Sequence, residues 1–554
     1  GLGVDEMPPV NTPLGDTVVY YMRQGGHALD RNDWKIFLDF TDRHFKINQA
    51  EKWIADLGNG KYKNPVLFAD YSDPDAIRVN DDFYMVASSF NCMPGIPVLH
   101  SKDLVNWKII GHVYDKLPFE KYDKPAHGQG AWAPSIRYHD GLFYVYVCTP
   151  HEGLFMASAK NPAGPWQLHH VAKVEMWEDP CPLWDDDGNV YLVRSKLRGC
   201  ILYLHRMSKD GKKLLDNGTI IFQDEKHPTI EGPKFLKKDG YYYILAPAGG
   251  VPTGWQTVLR SKNIYGPYEA KIVLHQGNTE INGPHQGGIV ELKSGQWWFL
   301  HFQDRDPYGR IVHLQPVQWK DGWPLMGVDI NGDGIGEPVM EYQKPDVGKS
   351  YPVCTPQTSD EFDDDKLGLQ WQWHANPQSD WSSLTENTGS LRLYAVQNLS
   401  QNGNLWFVPN LLLQKFPAPS FTATTKITFR PDKLNERAGL VIMGRQWAYL
   451  ALNKTKDGLE LAMFEGTYER ANDATKLIES VDFQQDTYYL KVYVDNNAAC
   501  TFSYSLGGDD YTSIGRQFTA VEEMWIGAKV GLFNVNPNID DSKGYADFDW
   551  FRLD

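Results

Sequence analysis

Tyr71-Ser-Asp-Pro-Asp-Ala-Ile-Arg-Val-Asn-Asp-Asp-Phe-Tyr-Met-Val86 decides the fold, because the chain repeats it four more times in altered form. Each version has a proline after a small or acidic residue, a short apolar run, a polar turn and a second run carrying an aromatic. The later versions begin at Trp132-Ala-Pro, Asp179-Pro, Glu231-Gly-Pro and Gly283-Pro. The prolines are Pro74, Pro134, Pro180, Pro233 and Pro284, so the steps are 60, 46, 53 and 51 residues. The middle three units carry Asp-Gly at the turn, the pair that favours a tight β-hairpin. A repeat of this period predicts the blades of a β-propeller, and five copies predict five blades.

Inner strands of a propeller line a central channel, so equivalent residues at one end of each blade converge on the axis. An acid stands one or two places before the proline in three copies: Asp73, Asp179 and Glu231. Three carboxylates are thus expected to face one another across one opening. Clustered acids repel and desolvate each other, a cost that turn formation alone does not explain.

Working outward, the 554 residues are too many for one core, and two or three domains are expected. The first 62 residues precede the repeats. Arg31 to Leu57 places Trp34, Phe37, Leu38, Phe45, Trp53, Ile54 and Leu57 at roughly helical spacing, which predicts a partly helical extension. The propeller is expected over 63–343, with rim loops at Phe90–Gly95, His151–Gly153 and Gly249–Trp255, and a linker over 344–356. Residues 357–554 alternate polar and apolar in short stretches such as Ser390–Tyr394, Thr422–Phe429 and Tyr488–Val494, which predicts an antiparallel β-sandwich. The closing Tyr545–Leu553 is expected to return beside Asp360–Phe362, where Glu361 and Asp549 are candidate ligands for a structural calcium. Asp329-Ile-Asn-Gly-Asp-Gly-Ile-Gly-Glu337 looks like the front of a calcium loop, but its twelfth position is Met340, so a glycine-rich turn is expected instead. The fold class is therefore all-β.

A net charge of −16 argues against nucleic acid or an anionic membrane as partner. No apolar run is long enough to span a membrane. Six scattered cysteines lack the spacing of a zinc site or a disulfide framework. The chain opens Gly-Leu-Gly-Val-Asp, and an exported protein trimmed of its leader, secreted or periplasmic, is the expectation. The 19 Trp, 29 Tyr and 25 Phe suit β cores and also the stacking of sugar rings.

Two carboxylates across an aromatic-rimmed pocket suit the cleavage of a glycosidic bond. One gives a proton to the leaving oxygen and the other activates water. Asp73 and Glu231 fall in blades one and four, which are not neighbours, leaving room for that water and so for inversion. Asp179, in blade three, neighbours Glu231 and can raise its proton affinity.

The chain resembles glycoside hydrolase family 43, the five-bladed propeller enzymes acting on xylosides and arabinosides. The carrying motifs are Asn64-Pro-Val-Leu, Asp73-Pro, His100-Ser-Lys-Asp-Leu-Val-Asn-Trp107, Trp132-Ala-Pro-Ser-Ile136, Asp179-Pro, Glu231-Gly-Pro233, Gly283-Pro-His-Gln-Gly-Gly288 and Trp319-Lys-Asp-Gly-Trp-Pro324. The resemblance implies Asp73 as general base, Asp179 as the residue that tunes and orients the acid, and Glu231 as general acid. It implies His285 as a channel histidine that binds substrate or holds a calcium or water at the axis, and Arg310 as a contact to the terminal sugar. Phe90 and Trp132 would be stacking walls of the first subsite. The C-terminal part is similar to the concanavalin-like sandwich of family β-xylosidases, in which a loop closes the pocket and limits action to chain ends. The expected substrate is an oligosaccharide or polysaccharide, with no cofactor required for the chemistry. Two rivals share the acids: an endo-acting arabinanase with an open groove, and a carbohydrate-binding propeller without activity.

Overall fold

The computed structural model describes residues 52–397, 404–468, 475–483 and 485–554, together with the single positions Val10 and Asp33. Residues 1–51 and 52–553 form separate compact units. Of the helical extension expected over Arg31–Leu57, Asp33 is helical and buried, and most of the remainder lies outside the described residues. Its last part, Trp53 to Leu57, is not helical. There the Trp53 indole donates to the carbonyl of Pro65 at 2.8 Å, and Leu57 N donates to the carbonyl of Lys61. These contacts anchor Trp53 to Leu57 to the propeller entry as extended chain.

Five four-stranded antiparallel sheets follow one another in chain order. Their innermost strands are Asp75–Val79, Trp132–His139, Trp177–Trp184, Lys234–Lys238 and His285–Glu291, and the last blade ends with Trp323–Met326. The tight hairpin expected at Asp-Gly forms in blades II and IV, whereas in blade III Asp187 is not left-handed and the turn is a longer loop in which Asp185 N donates to the Asn189 carbonyl. Asp140 and Gly141 have φ of 47° and 79°, and Asp239 and Gly240 have 50° and 76°, the two left-handed residues a tight hairpin needs. Each blade packs on the next through its own apolar cluster. Val86, Val98 and Ile136 sit between blades I and II, and Tyr146, Met156 and Leu192 between II and III. Met85, Leu99, Trp298 and Val312 close the ring between V and I.

Closure is reinforced by the segment before blade I, which runs antiparallel along the third strand of blade V. Leu67 and Val312 exchange both backbone hydrogen bonds. Buried Asn64 accepts from Leu314 N (2.8 Å) and donates to the carbonyls of Leu314 (2.8 Å) and Val339 (2.7 Å). One amide side chain thus replaces a rung that no regular strand supplies.

The C-terminal domain is two packed sheets. The three stretches read as alternating strands and the closing Tyr545–Leu553 all fall in one of them, ordered Leu391–Tyr394, Tyr545–Leu553, Phe421–Arg430, Thr487–Val494. Phe421–Arg430 buries every second residue, as a strand with one solvated face should. Asp360 and Phe551 exchange two backbone hydrogen bonds of 2.8 Å, placing the closing strand where the sequence located it. Glu361 and Asp549 do not form a calcium cage there. Glu361 is paired through both oxygens with Arg552, and Asp549 with Lys426 and Ser390. Each carboxylate is neutralised by its own cation, and neither belongs to a three-residue metal-capable cluster among the described residues. In the glycine-rich turn, both oxygens of Asp329 are taken by the amides of Gly332 and Gly334.

Propeller and sandwich are joined along loops of blades I, II and V. Met93 and Trp373 pair as a β-bridge. Asn376 accepts from Leu117 N and donates to the Leu117 carbonyl and to Asp123. The Tyr308 hydroxyl donates towards the carbonyls of Pro419 (2.7 Å) and Asp495 (3.0 Å). Among the described residues helix is limited to three 3-10 turns and Asp33, and no helix is long and apolar enough to cross a membrane.

Candidate active site

One backbone device marks the start of all five inner strands. The residue before the repeat proline has a left-handed φ in every blade: Asp73 (54°), Ala133 (33°), Asp179 (56°), Gly232 (56°) and Gly283 (47°). In blades II and III the strand pairing shifts register at this point, and in blade V just beyond it, between His285 and Gly287, a bulge that re-aims side chains. Aspartate tolerates the left-handed region better than most residues, which makes it compatible with both backbone and chemistry here.

Asp73 is buried and accepts three bonds. Ser72 Oγ (2.7 Å) and Ser88 Oγ (2.6 Å) donate to Oδ2, and the Arg310 guanidinium donates to Oδ1 at 2.9 Å. Ser88 in turn accepts from Ala133 N at 2.7 Å, so its proton must point at Asp73. A carboxylate that only accepts is what this arrangement demands. Arg310, read from sequence as a sugar contact, is therefore buried as the ion-pair partner of Asp73.

Asp179 is also buried, and its Oδ2 accepts from Gly232 N (2.7 Å) and Ser195 Oγ (3.0 Å). The first bond ties blade III to the backbone next to Glu231. Glu231 itself stands at the opening, its side chain 24% exposed, with Oε1 2.8 Å from Nε2 of fully buried His285. A fourth acid, Glu178, joins this cluster and was not singled out from the sequence. Ligand oxygens of Glu178, Asp179 and Glu231 lie within 4.8 Å of one another. The signal for it was present. Glu178 stands two places before its proline, as Glu231 does, so the repeat register alone would have found it.

Burial, reinforced by the neighbouring carboxylates, pushes Glu178 well above the usual carboxylate range and raises Asp179 as well. Asp73 does not belong to the three-residue group of Glu178, Asp179 and Glu231 and stands apart from it. Lys234 and the Gly232 amide oppose the rise of Asp179. Beneath the acids, the Arg137 guanidinium donates to Asp75 (2.7 Å) and lies 2.8 Å from the Cys181 sulfur. Buried Lys234 acts electrostatically on both Asp179 and Cys181. A polar floor with two cations thus underlies the pocket.

Calcium takes six to eight oxygen ligands. At the axis His285 commits Nε2 to Glu231, its Nδ1 has no hydrogen-bond partner, and it belongs to no three-residue metal-capable group among the described residues. One nitrogen beside a cationic floor does not fit a calcium cage.

The two stacking walls named from the sequence, Phe90 and Trp132, are brought together, and both are covered. Trp525, from the sandwich, packs edge-on to Trp132 with centroids 5.2 Å apart and lies 6.0 Å from Phe90. Phe90 and Trp132 are 3% and 7% exposed and Trp525 is 40% exposed, so the wall that meets solvent is Trp525. Its loop is held by Gly527 N donating to Asp70 Oδ2 (3.0 Å), while Asp70 Oδ1 accepts from Arg310 N (2.9 Å). On the far side the Gly249–Trp255 loop leans over Gly283, where an added Cβ would meet the Val251 carbonyl at 2.1 Å.

A five-bladed propeller whose inner-strand entries converge four carboxylates, walled on one side by a sandwich loop, has the architecture of a glycoside hydrolase. Residues 62–324 match the model of glycosyl hydrolases family 43, and residues 359–554 match the β-xylosidase C-terminal concanavalin A-like domain. The chain belongs to glycoside hydrolase family 43. It is 44% identical to a Xylanibacter ruminicola protein provisionally named a β-xylosidase, over 87% of this chain and 88% of that one. It is 34% identical to a β-xylosidase of Formosa agariphila (91% and 92% covered). A non-reducing end α-L-arabinofuranosidase of Bacteroides ovatus is 32% identical (90% and 96%). Among solved structures, the family 43 protein BlXynB of Bacillus licheniformis superposes with a TM-score of 0.78 at 28% identity, over 89% of this chain and 99% of that one. As a family 43 hydrolase the chain acts on carbohydrate and needs no cofactor for its chemistry.

Proposed function

We propose that the chain is an inverting exo-glycosidase that releases a terminal pentose, β-D-xylose or α-L-arabinofuranose, from plant cell-wall oligosaccharide or polysaccharide. The observation that carries the mechanism is the division of the acids. Asp73 is fixed by three donors on one side of the opening, whereas Glu231 reaches solvent on the other beside His285. In this reading a water gives its proton to Asp73 while its oxygen attacks the anomeric carbon from the face opposite the leaving group. The glycosidic C–O bond breaks, and Glu231 passes its proton to the departing oxygen. Asp179 acts through Glu231, holding the adjacent Gly232 amide. The pentose leaves with its anomeric configuration inverted, and solvent returns the proton from Asp73 to Glu231.

Exo action is supported by Trp525, which walls the pocket where an endo-acting enzyme would need an open groove. The pentose assignment rests on the named activities of the relatives. The proposed setting is outside the cytoplasm, where polymeric substrate is found, and fractionation of the native host tests it.

The leaving group separates the two roles. A nitrophenol departs with little protonic help, whereas a sugar alcohol needs a full proton. Glu231→Gln should lose about 10²–10⁴-fold on xylobiose or an arabinosylated oligosaccharide and much less on the matching nitrophenyl glycosides. Asp73→Asn should lose a similar factor on both. Equal losses on both substrates for Glu231→Gln would overturn its role as acid, and product of retained configuration by NMR would overturn inversion.

A further inference from the structure

Away from the acids, three metal-capable side chains meet where the sandwich loop touches the propeller: His127, His374 and Glu523, with one ligand atom from each within 4.8 Å of the others. His127 comes from the loop between blades I and II, and the other two from the sandwich. His374 and Glu523 are 0% and 3% exposed.

Each histidine has its far nitrogen committed to a backbone carbonyl. His127 Nε2 donates to Trp406 O at 2.8 Å, and His374 Nδ1 donates to Val408 O at 3.0 Å. A carbonyl only accepts, so those nitrogens carry the protons. In neutral rings the lone pairs of His127 Nδ1 and His374 Nε2 then face the Glu523 carboxylate. His127 Nδ1 is 2.5 Å from Oε1, and His374 Nε2, buried without a hydrogen-bond partner, is 3.9 Å from Oε2. Lone pairs converging on a carboxylate call for a cation between them. Histidine ligands of metals characteristically donate their other N–H to a carbonyl or carboxylate, which both rings do here. Ring orientation is fixed further by Trp406, stacked on His127 at 3.6 Å and 16°.

We propose that His127, His374 and Glu523 form a binding site for a divalent transition metal of the zinc class, which pins the sandwich loop to the propeller. Two imidazoles and one carboxylate are a donor set zinc accepts, with a fourth position left for water. At zinc–ligand distances of about 2.0–2.2 Å, tetrahedral ligand atoms stand roughly 3.3 Å apart. The 2.5 Å from His127 Nδ1 to Glu523 Oε1 and the 3.9 Å from His374 Nε2 to Oε2 straddle that value. The buried Lys529 ammonium acts electrostatically on Glu523 and His374 but makes no hydrogen bond to either. The site is coupled to the pocket by sequence. Glu523 lies two residues before Trp525. His127 precedes Gly128, whose carbonyl accepts from the Trp132 indole at 3.0 Å and whose Cα faces Met524.

The full chain, stripped with a chelator, is titrated with ZnCl2 and with CoCl2. One equivalent should bind, raise the melting temperature and give cobalt the visible bands of a four-coordinate ion with nitrogen ligands. His374→Ala, and the shape-preserving Glu523→Gln should the former misfold, should each weaken binding at least 100-fold while the folded protein keeps its circular dichroism. No stoichiometric binding, or binding that survives both variants because the metal sits on the pocket acids, overturns the proposal. In the first case the site holds an imidazolium–carboxylate pair only.

Discussion

Replacing Glu178 with glutamine removes one ionisable proton from the pocket and leaves its shape. In the unfolded chain this carboxyl titrates near 4.5, while burial beside Asp179 and Glu231 raises it well above that in the folded protein. Between those two values the folded state therefore binds more protons than the unfolded state. Stability from this group is present below pH 4.5 and drains away as pH rises towards the folded titration. The slope is at most about 1.4 kcal/mol per pH unit, so over the roughly 2.5 units from 4.5 to 7 the wild type gives up as much as about 3 kcal/mol. Glutamine cannot ionise and gives up nothing. Extrapolating the size scaling of melting to a chain of this length gives roughly 1–2 °C per kcal/mol. The melting temperature of Glu178→Gln should thus gain on wild type by several degrees between pH 5 and pH 7.5, measured by calorimetry in matched buffers. Because the native carboxyl is already protonated at neutral pH, activity should stay within about tenfold of wild type. A melting difference that is flat with pH, or one that shrinks as pH rises, would refute the electrostatic account of the cluster.

Two further outcomes follow from the packing. Trp525→Ala removes two aromatic contacts worth about 0.5–1.5 kcal/mol each, and it strips the solvent-facing wall, so KM should rise about tenfold in steady-state assays with kcat changed far less. Asn64→Ala deletes three buried hydrogen bonds at the ring closure and leaves the Leu314 and Val339 carbonyls short of a donor; about 2–4 kcal/mol of stability should be lost, read as a lower melting temperature with unchanged KM.

The blades were legible because each copy of the repeat is local: proline, apolar run, Asp-Gly, aromatic run. The acids Asp73, Asp179 and Glu231 were legible for the same reason, since a repeat converts sequence position into angular position around the axis. Glu178 was overlooked although it occupies the same register as Glu231, because its neighbour Asp179 had already filled the expected slot. Trp525, Glu523 and His374 carry no such mark. They meet Trp132 and His127 across 240 residues or more, through a domain contact that no local pattern encodes. Arg310 and Asp73 were both found but their pairing was not, because a buried ion pair and a rim contact to sugar look alike in sequence. The calcium expectations at Glu361 and Asp549 failed because the cations Arg552 and Lys426 stand on strands that fold back on them.

The left-handed residue before each repeat proline makes the ring an array of five equivalent sockets. Two hold aspartate, one alanine and two glycine. The glycines are fixed by crowding: an added Cβ at Gly232 would lie 2.7 Å from the Gln286 side chain, and at Gly283 2.1 Å from a carbonyl oxygen. Ala133 already carries a Cβ in the same backbone state, at the blade between the two aspartates. A third carboxylate can therefore be installed at Ala133 without rebuilding a strand, whereas moving one to blades IV or V requires remodelling a loop. Reassignment of chemistry around this ring is thus limited less by the catalytic groups than by which neighbour already fills the space behind each socket.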